Sequence, residues 1–185
     1  MKGSLAATRP VLIVFGGLPG VDKTTASLAL AARLDAVHLR IDAIEQAIRN
    51  AGLGTVGPAG YGVAAAVAEA NLRLGHAVVA DCVNPVPQSR TAWRETAARA
   101  RAALAEIELV CSNLAEHRRR VEGRTSDIPG HRPPAWDEVA RFPFEPWTGD
   151  RLVLDTAGAD RGALVERAAA YVRARRESGA GEAAP

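Results

Sequence analysis

Short apolar runs alternate with longer stretches of helical period along this chain. The runs occupy residues 11–15, 37–41, 77–80, 107–110 and 152–154, each the length of a buried strand. Between them, residues 23–34, 43–50, 62–74, 88–104 and 114–123 read as helices. Strands buried on both sides show as continuous apolar runs, so this alternation predicts a parallel sheet with helices on both faces. After the fifth run, Leu164, Val165, Ala168, Tyr171 and Val172 fall on one stripe, which predicts a closing amphipathic helix over 163–175.

Two stretches break the ladder. Residues 51–60 hold four glycines and a proline and predict a loop over one edge. Residues 124–150 carry Pro129, Pro133, Pro134, Pro143 and Pro146 beside Trp136 and Trp147. Such a length is unusual for a plain connection and predicts a functional lid with a short helix near 135–141. The small, polar residues 177–185 predict a disordered tail.

At 185 residues and 48% apolar, the chain is expected to form one domain over residues 1–176. Its net charge of +2 is spread along the sequence, which argues against a nucleic-acid coat or a polybasic membrane anchor. No window approaches 18 uninterrupted apolar residues, and the apolar run at 11–15 leads into glycines rather than a cleavage site, so a cytoplasmic protein without a membrane segment is expected. Cys82 and Cys111 are too few for a disulfide framework, and the histidines show no metal-ligand spacing. One count stands out: 21 arginines against two lysines, Lys2 and Lys23.

Lys23 lies in a recognisable setting. Gly17-Leu18-Pro19-Gly20-Val21-Asp22-Lys23-Thr24 follows a predicted strand and opens a predicted helix, as a phosphate-binding Walker A loop must. In such a loop the backbone N–H groups from Gly17 to Thr25 and the helix N-terminus face phosphate oxygens, the lysine bridges the terminal phosphates and the Thr24 hydroxyl ligates magnesium. The pattern asks for glycine where Asp22 stands. A carboxylate about 4 Å from a phosphate costs about 4 kcal/mol at an effective dielectric near 20, so weakened nucleotide binding is expected. The same carboxylate would also draw on the charge of Lys23.

The acids at the predicted strand ends share a rim with that loop, where ligands of open α/β sheets bind. Asp42 closes Leu39-Arg40-Ile41-Asp42 and suits either a base for an attacking hydroxyl or a helix N-cap with Glu45 three residues on. Asp81 closes the third run and suits either a magnesium-holding acid or a turn. Asp155 reads as a turn residue. The basic cluster from His117 to Arg124 leads into the lid, and Arg120 and Arg124, four apart, share a helix face suited to a phosphoryl group or merely to solvent.

With these residues in place, the chain resembles a small P-loop kinase of the AAA-type ATPase or zeta-toxin-like group, similar to chloramphenicol phosphotransferase, gluconate kinase and the kinase domain of polynucleotide kinases. The matching pieces are 17–24, the acid after Leu39-Arg40-Ile41, Asp81 with Asn84, and the arginines before the lid. The resemblance implies a three-layer α/β fold with a five-stranded parallel sheet of order 2-3-1-4-5. It also implies ATP and Mg2+ as donor, with transfer of the γ-phosphate to a hydroxyl of a small molecule such as a sugar, antibiotic or nucleoside. By the same analogy Asp42 is the base, Lys23 holds phosphate, Thr24 and Asp81 hold magnesium, and Arg120 with Arg124 clamps the transferred group. Arg49, Tyr61 and Asn84 are candidates for contacting the acceptor. Two other readings remain: a nucleotide-binding regulatory module without turnover, favoured by Asp22, and a polynucleotide 5'-hydroxyl kinase, disfavoured by the small net charge.

Overall fold

The computed structural model describes residues 9–178 of the chain. Strand β1 (Val11–Gly16) is buried at all six positions. Its neighbours are β3 (Val78–Asp81) on one side and β4 (Ala103–Val110) on the other. β2 (Val37–Arg40) and β5 (Leu152–Asp155) form the edges of a five-stranded, all-parallel sheet of order β2-β3-β1-β4-β5, the order the resemblance implies.

Alternation along β1 divides the core. Val11, Ile13 and Phe15 face α1 (Lys23–Leu34) and α7 (Arg161–Ser178), and Leu12 and Val14 face α3 (Ala59–Arg73) and α4 (Pro87–Arg99). All five side chains are fully buried, each contributing about 1.5–3 kcal/mol. Helices therefore cover both faces. α2 (Ile41–Asn50), α5 (Leu114–Gly123) and the short α6 (Trp136–Ala140) complete the described elements.

Several boundaries differ from the sequence reading. β2 stops at Arg40, and Ile41 turns straight into α2, so Asp42 sits in the first helical turn instead of ending a strand. The N-cap is Arg40 with no side-chain capping bond, and the Asp42–Glu45 capping box does not form. The fourth helix ends at Arg99, because Arg101 adopts a left-handed φ of 52° that no helix continues. β4 accordingly starts at Ala103, four residues before the predicted 107, with Glu106 and Glu108 set against Arg94 and Arg151. Those interleaved charges hid the strand's alternation. Helix α3 takes in Ala59 and Gly60 from the predicted loop; Gly60 serves the close approach of α2, since a side chain there would stand 2.5 Å from Glu45 Cγ. At the end of the chain, α7 continues through Glu177 and Ser178, and the rest of the predicted tail lies outside the described residues.

The segment from 124 to 150 is held at its return by a residue the sequence did not mark. Arg90 on α4 is 3% exposed. Its guanidinium donates to Asn84 O at 3.0 Å, Pro85 O at 3.1 Å, Glu145 O at 2.5 Å and Pro146 O at 3.0 Å, and lies 4.8 Å from the centre of the Trp147 ring. Trp147 in turn fills the space beside Gly16, where a Cβ would meet its ring at 2.2 Å. Removing the guanidinium strands several carbonyls away from solvent. Arg90→Ala is expected to lower unfolding free energy by about 3 kcal/mol, read as a shifted urea midpoint, with faster hydrogen exchange at 144–148.

Candidate active site

Between β1 and α1 the chain folds as a phosphate loop. Gly17 has φ +133° and Gly20 φ +86°, and a Cβ at Gly17 would sit 2.2 Å from the Leu109 carbonyl oxygen. A Cβ at Gly20 would meet Val121 Cγ2 on α5 at 2.4 Å. The third position of positive φ is Asp22, at φ 62° and ψ 24°. Aspartate is among the few residues that tolerate this left-handed region, so the loop keeps its backbone course with a carboxylate in the glycine's place.

Val21 is 2% exposed and Leu18 packs against the core, so these two side chains anchor the loop. Pro19, Gly20, Asp22, Lys23, Thr24 and Thr25 line a cavity of about 590 Å³ at the carboxyl ends of the strands. A second anchor comes from α5. His117, 5% exposed, places Nε2 at 2.8 Å from Pro19 O; because a carbonyl only accepts, Nε2 carries the proton. The same ring meets Trp136 of α6 edge-on at 5.3 Å, tying the loop to the 124–150 segment. Sequence reasoning missed this histidine, since contacts across about a hundred residues leave no local pattern.

Lys23 is 9% exposed and donates to Leu18 O at 2.8 Å. Burial lowers its pKa, opposed by the nearby carboxylates of Asp81 and Asp42. The expectation that Asp22 would draw on this lysine is not met. The Asp22 carboxylate lies 3.4 Å from Arg120 Nη1 and 3.8 Å from Arg161 Nη2, while Lys23 makes no ion pair within 4 Å among the described residues.

Asp81 ends β3 in register with Phe15 and Arg40. It is 4% exposed, lines the cavity, and its Oδ2 is buried without a hydrogen-bond partner among the described residues. An unpartnered buried carboxylate oxygen is costly unless a ligand or ion satisfies it. Thr24 lines the same cavity. One hydroxyl and one carboxylate would suit magnesium, a cation that needs few protein ligands. Among the described residues no group of three His, Cys, Asp or Glu is arranged to hold a metal by protein ligands alone.

Asp42 also lines the cavity, presented by the first turn of α2. Tyr61 reaches it from α3, its hydroxyl accepting from Asn84 N at 3.0 Å and its phenol pushed up in pKa by burial. Asn84 itself is fully buried at φ 57° and does not line the cavity; it touches the lining through Tyr61. Arg49 does not line it either: it pairs with Glu45 at 3.3 Å on the outer side of α2. Glu45 does line it, and burial raises its pKa. Arg40 closes the same end through Nη1 alone, which donates to both carboxylate oxygens of Asp127 at 2.9 and 2.7 Å. That bond holds the Asp127 carboxyl below its ordinary range.

Arg120 and Arg124, one turn apart, part company. Arg124 lines the cavity with no carboxylate within 4 Å among the described residues. Arg120 donates to Thr156 Oγ1 at 2.8 Å, to Thr156 O at 2.9 Å and to the Glu116 carboxylate, and is thereby fixed to the turn after β5. That turn is built as the sequence suggested, with Asp155 Oδ1 accepting from Ser112 N and Ala157 N at 3.0 Å each. Beyond it opens a second cavity of about 600 Å³ with an apolar wall of Ala26, Ala29, Leu164 and Val165. Asp22, Thr25 and Arg120 line both cavities.

The geometry can be set beside known proteins. An AAA domain family model matches residues 12–135. Comparison with curated protein sequences finds no match. Among solved structures, a gluconokinase from Sinorhizobium meliloti 1021 is similar at TM-score 0.67 and 22% identity, covering 95% of this chain and 98% of its own. An APS kinase from Mycobacterium tuberculosis in complex with AMPPNP and APS aligns at TM-score 0.68 and 18% identity, over 89% of this chain and 98% of its own. A sugar kinase from Janibacter sp. aligns at TM-score 0.67 and 18% identity, over 89% and 95%. At such identities the likeness speaks for the fold, and that fold is the one described above. Phosphate loop, strand order and family match agree: the chain belongs to the AAA domain family and has the fold of P-loop kinases.

Proposed function

We propose that this protein is an ATP-dependent phosphotransferase that moves the γ-phosphate of ATP·Mg to a hydroxyl of a small molecule. The observation that carries this reading is the adjacency of two cavities that share Asp22, Thr25 and Arg120 in their linings. One has an apolar wall, and the other is lined by Lys23, Thr24, Asp81 and Asp42. A nucleotide laid across them has its base against Ala26, Ala29, Leu164 and Val165 and its phosphates at the loop.

In that arrangement Lys23 and the loop N–H groups hold the terminal phosphates. Thr24 and Asp81 would hold magnesium, which would supply positive charge against the phosphates. Asp42 accepts the proton of the acceptor hydroxyl as its oxygen attacks. Arg124, with no carboxylate within 4 Å among the described residues, meets the transferring group, and Arg120 shapes the boundary of the two cavities from its anchor on Thr156. The segment 124–150 acts as a lid whose closure excludes water, pinned at its two ends by Arg40–Asp127 and Arg90.

Thermal unfolding with and without ATP·Mg tests the nucleotide half of this reading. A ligand at a hundred times its Kd adds about 2.7 kcal/mol, and an absent shift removes the donor assignment. One observation favours a second reading, a nucleotide-binding module without turnover: Asp22 already neutralises Arg120. A thermal shift without ADP release on any acceptor decides for the module.

A further inference from the structure

The phosphate loop is gripped from outside by a side chain that no step of the proposed reaction uses. Gly17 N donates to Val83 O at 3.0 Å, Leu18 O accepts from Lys23 Nζ at 2.8 Å, and Pro19 has no N–H to offer. Gly20 N has no partner among the described residues. A trans peptide is planar, and its C=O and N–H point in opposite directions, so whatever holds Pro19 O also aims the N–H of Gly20. That partner is His117 Nε2 on α5, at 2.8 Å.

The ring is itself fixed. His117 is buried, and Trp136 of α6 meets it edge-on, the ring centres 5.3 Å apart and the planes at 88°. Gly20 lies against the same ring: a Cβ there would come within 3.3 Å of His117 Cδ2 as well as 2.4 Å of Val121 Cγ2. The missing side chain that lets α5 approach also leaves the 19–20 peptide free to turn over, since glycine at φ +86° opposes little strain. Turned over, that peptide would set the Pro19 carbonyl, an acceptor, against anionic oxygens. Pro19 and Gly20 line the active-site cavity, whereas His117 lines neither cavity, so any effect of the histidine on a ligand passes through the loop.

We infer that His117 is a positioning residue of the donor site: by holding Pro19 O it keeps the 19–20 peptide in the one orientation that turns the Gly20 N–H toward the phosphates. This inference rests on the nucleotide half of the reading above.

Isothermal titration of ATP·Mg into the full chain tests it, with the Gly20 amide resonance followed by NMR. In the parent this amide proton is expected to move downfield when ATP·Mg binds, the mark of a hydrogen bond to a charged oxygen. His117→Phe keeps a ring against Trp136 and removes the donor. It is expected to weaken ATP·Mg about tenfold, the scale of one hydrogen bond, and to abolish the Gly20 displacement. His117→Gln keeps an N–H at similar reach, so an affinity within threefold of the parent is expected, with the displacement restored. A urea midpoint for each variant verifies folding, and His117→Leu takes the place of His117→Phe if the larger ring does not fit. A role in packing alone would lower the midpoints and leave ATP·Mg affinity and the Gly20 displacement of the folded protein unchanged. That result overturns the inference and leaves the donor site standing, as does a glutamine variant that binds no tighter than the phenylalanine one. A parent that binds no ATP·Mg overturns the donor reading and this inference together.

Discussion

Asp42→Asn is expected to lower turnover by about 10²–10⁴-fold while ATP·Mg binds as before, the loss ordinarily seen when a positioned base is removed. The substitution keeps size and shape in the first turn of α2, where Asp42 makes no capping bond. A carboxylate near a helix N-terminus contributes only about 0.3–1 kcal/mol, so the variant remains folded. Asp42 also supports the charge on buried Lys23. Its removal takes one negative charge from the cavity, and the nucleotide gains affinity if anything. The measurements are steady-state ADP release and isothermal titration of ATP·Mg into both proteins. Turnover within threefold of the parent removes Asp42 as the base, and a collapse of ATP affinity with preserved folding reassigns it to the donor site.

Asp22→Gly is expected to tighten ATP·Mg binding by about 10–100-fold, or about 1.4–2.8 kcal/mol. A bare carboxylate about 4 Å from phosphate would cost about 4 kcal/mol at a dielectric near 20. Here the cost is smaller, because the Asp22 carboxylate points toward Arg120 and Arg161 and is 30% exposed, so solvent and two guanidinium groups screen it. Glycine both removes the charge and releases Arg120 from one of its carboxylate partners. The backbone gains as well, since φ 62° suits glycine without strain. Isothermal titration of the two proteins in parallel gives the ratio. Equal affinities would mean that Arg120 and Arg161 already cancel the carboxylate, and a weaker glycine variant would mean that Asp22 orders the loop through those pairs.

These two carboxylates illustrate how unevenly a site can be read in advance. Lys23 and Thr24 are legible because a phosphate loop is local: eight consecutive residues between a strand and a helix build it, and the turn chemistry of Gly17 and Gly20 stands in the sequence. Asp81 is legible because it interrupts an apolar run. Asp42 is found by sequence but placed wrongly, as a strand end, because nothing local shows that Ile41 already belongs to a helix. Asn84 and Arg49 show the converse failure. Each has the right chemistry near the right motif, yet one is sealed beneath Tyr61 and the other faces away from the cavity. Glu45, which does face it, looked like a capping residue.

Strand and helix order, the parallel sheet and the phosphate loop follow from the order of residues along the chain. Apolar period and turn residues act over a few positions, and right-handed crossovers leave few ways to assemble such units. What charge meets what charge is decided in three dimensions. Arg120 joins Asp22 across 98 positions and Thr156 across 36, Arg40 joins Asp127 across 87, and Arg90 joins Glu145 across 55. An aspartate beside a lysine in sequence thus has its carboxylate on two distant arginines instead. Electrostatic partners are chosen by distance in space and by burial, and neither is carried by spacing along a chain.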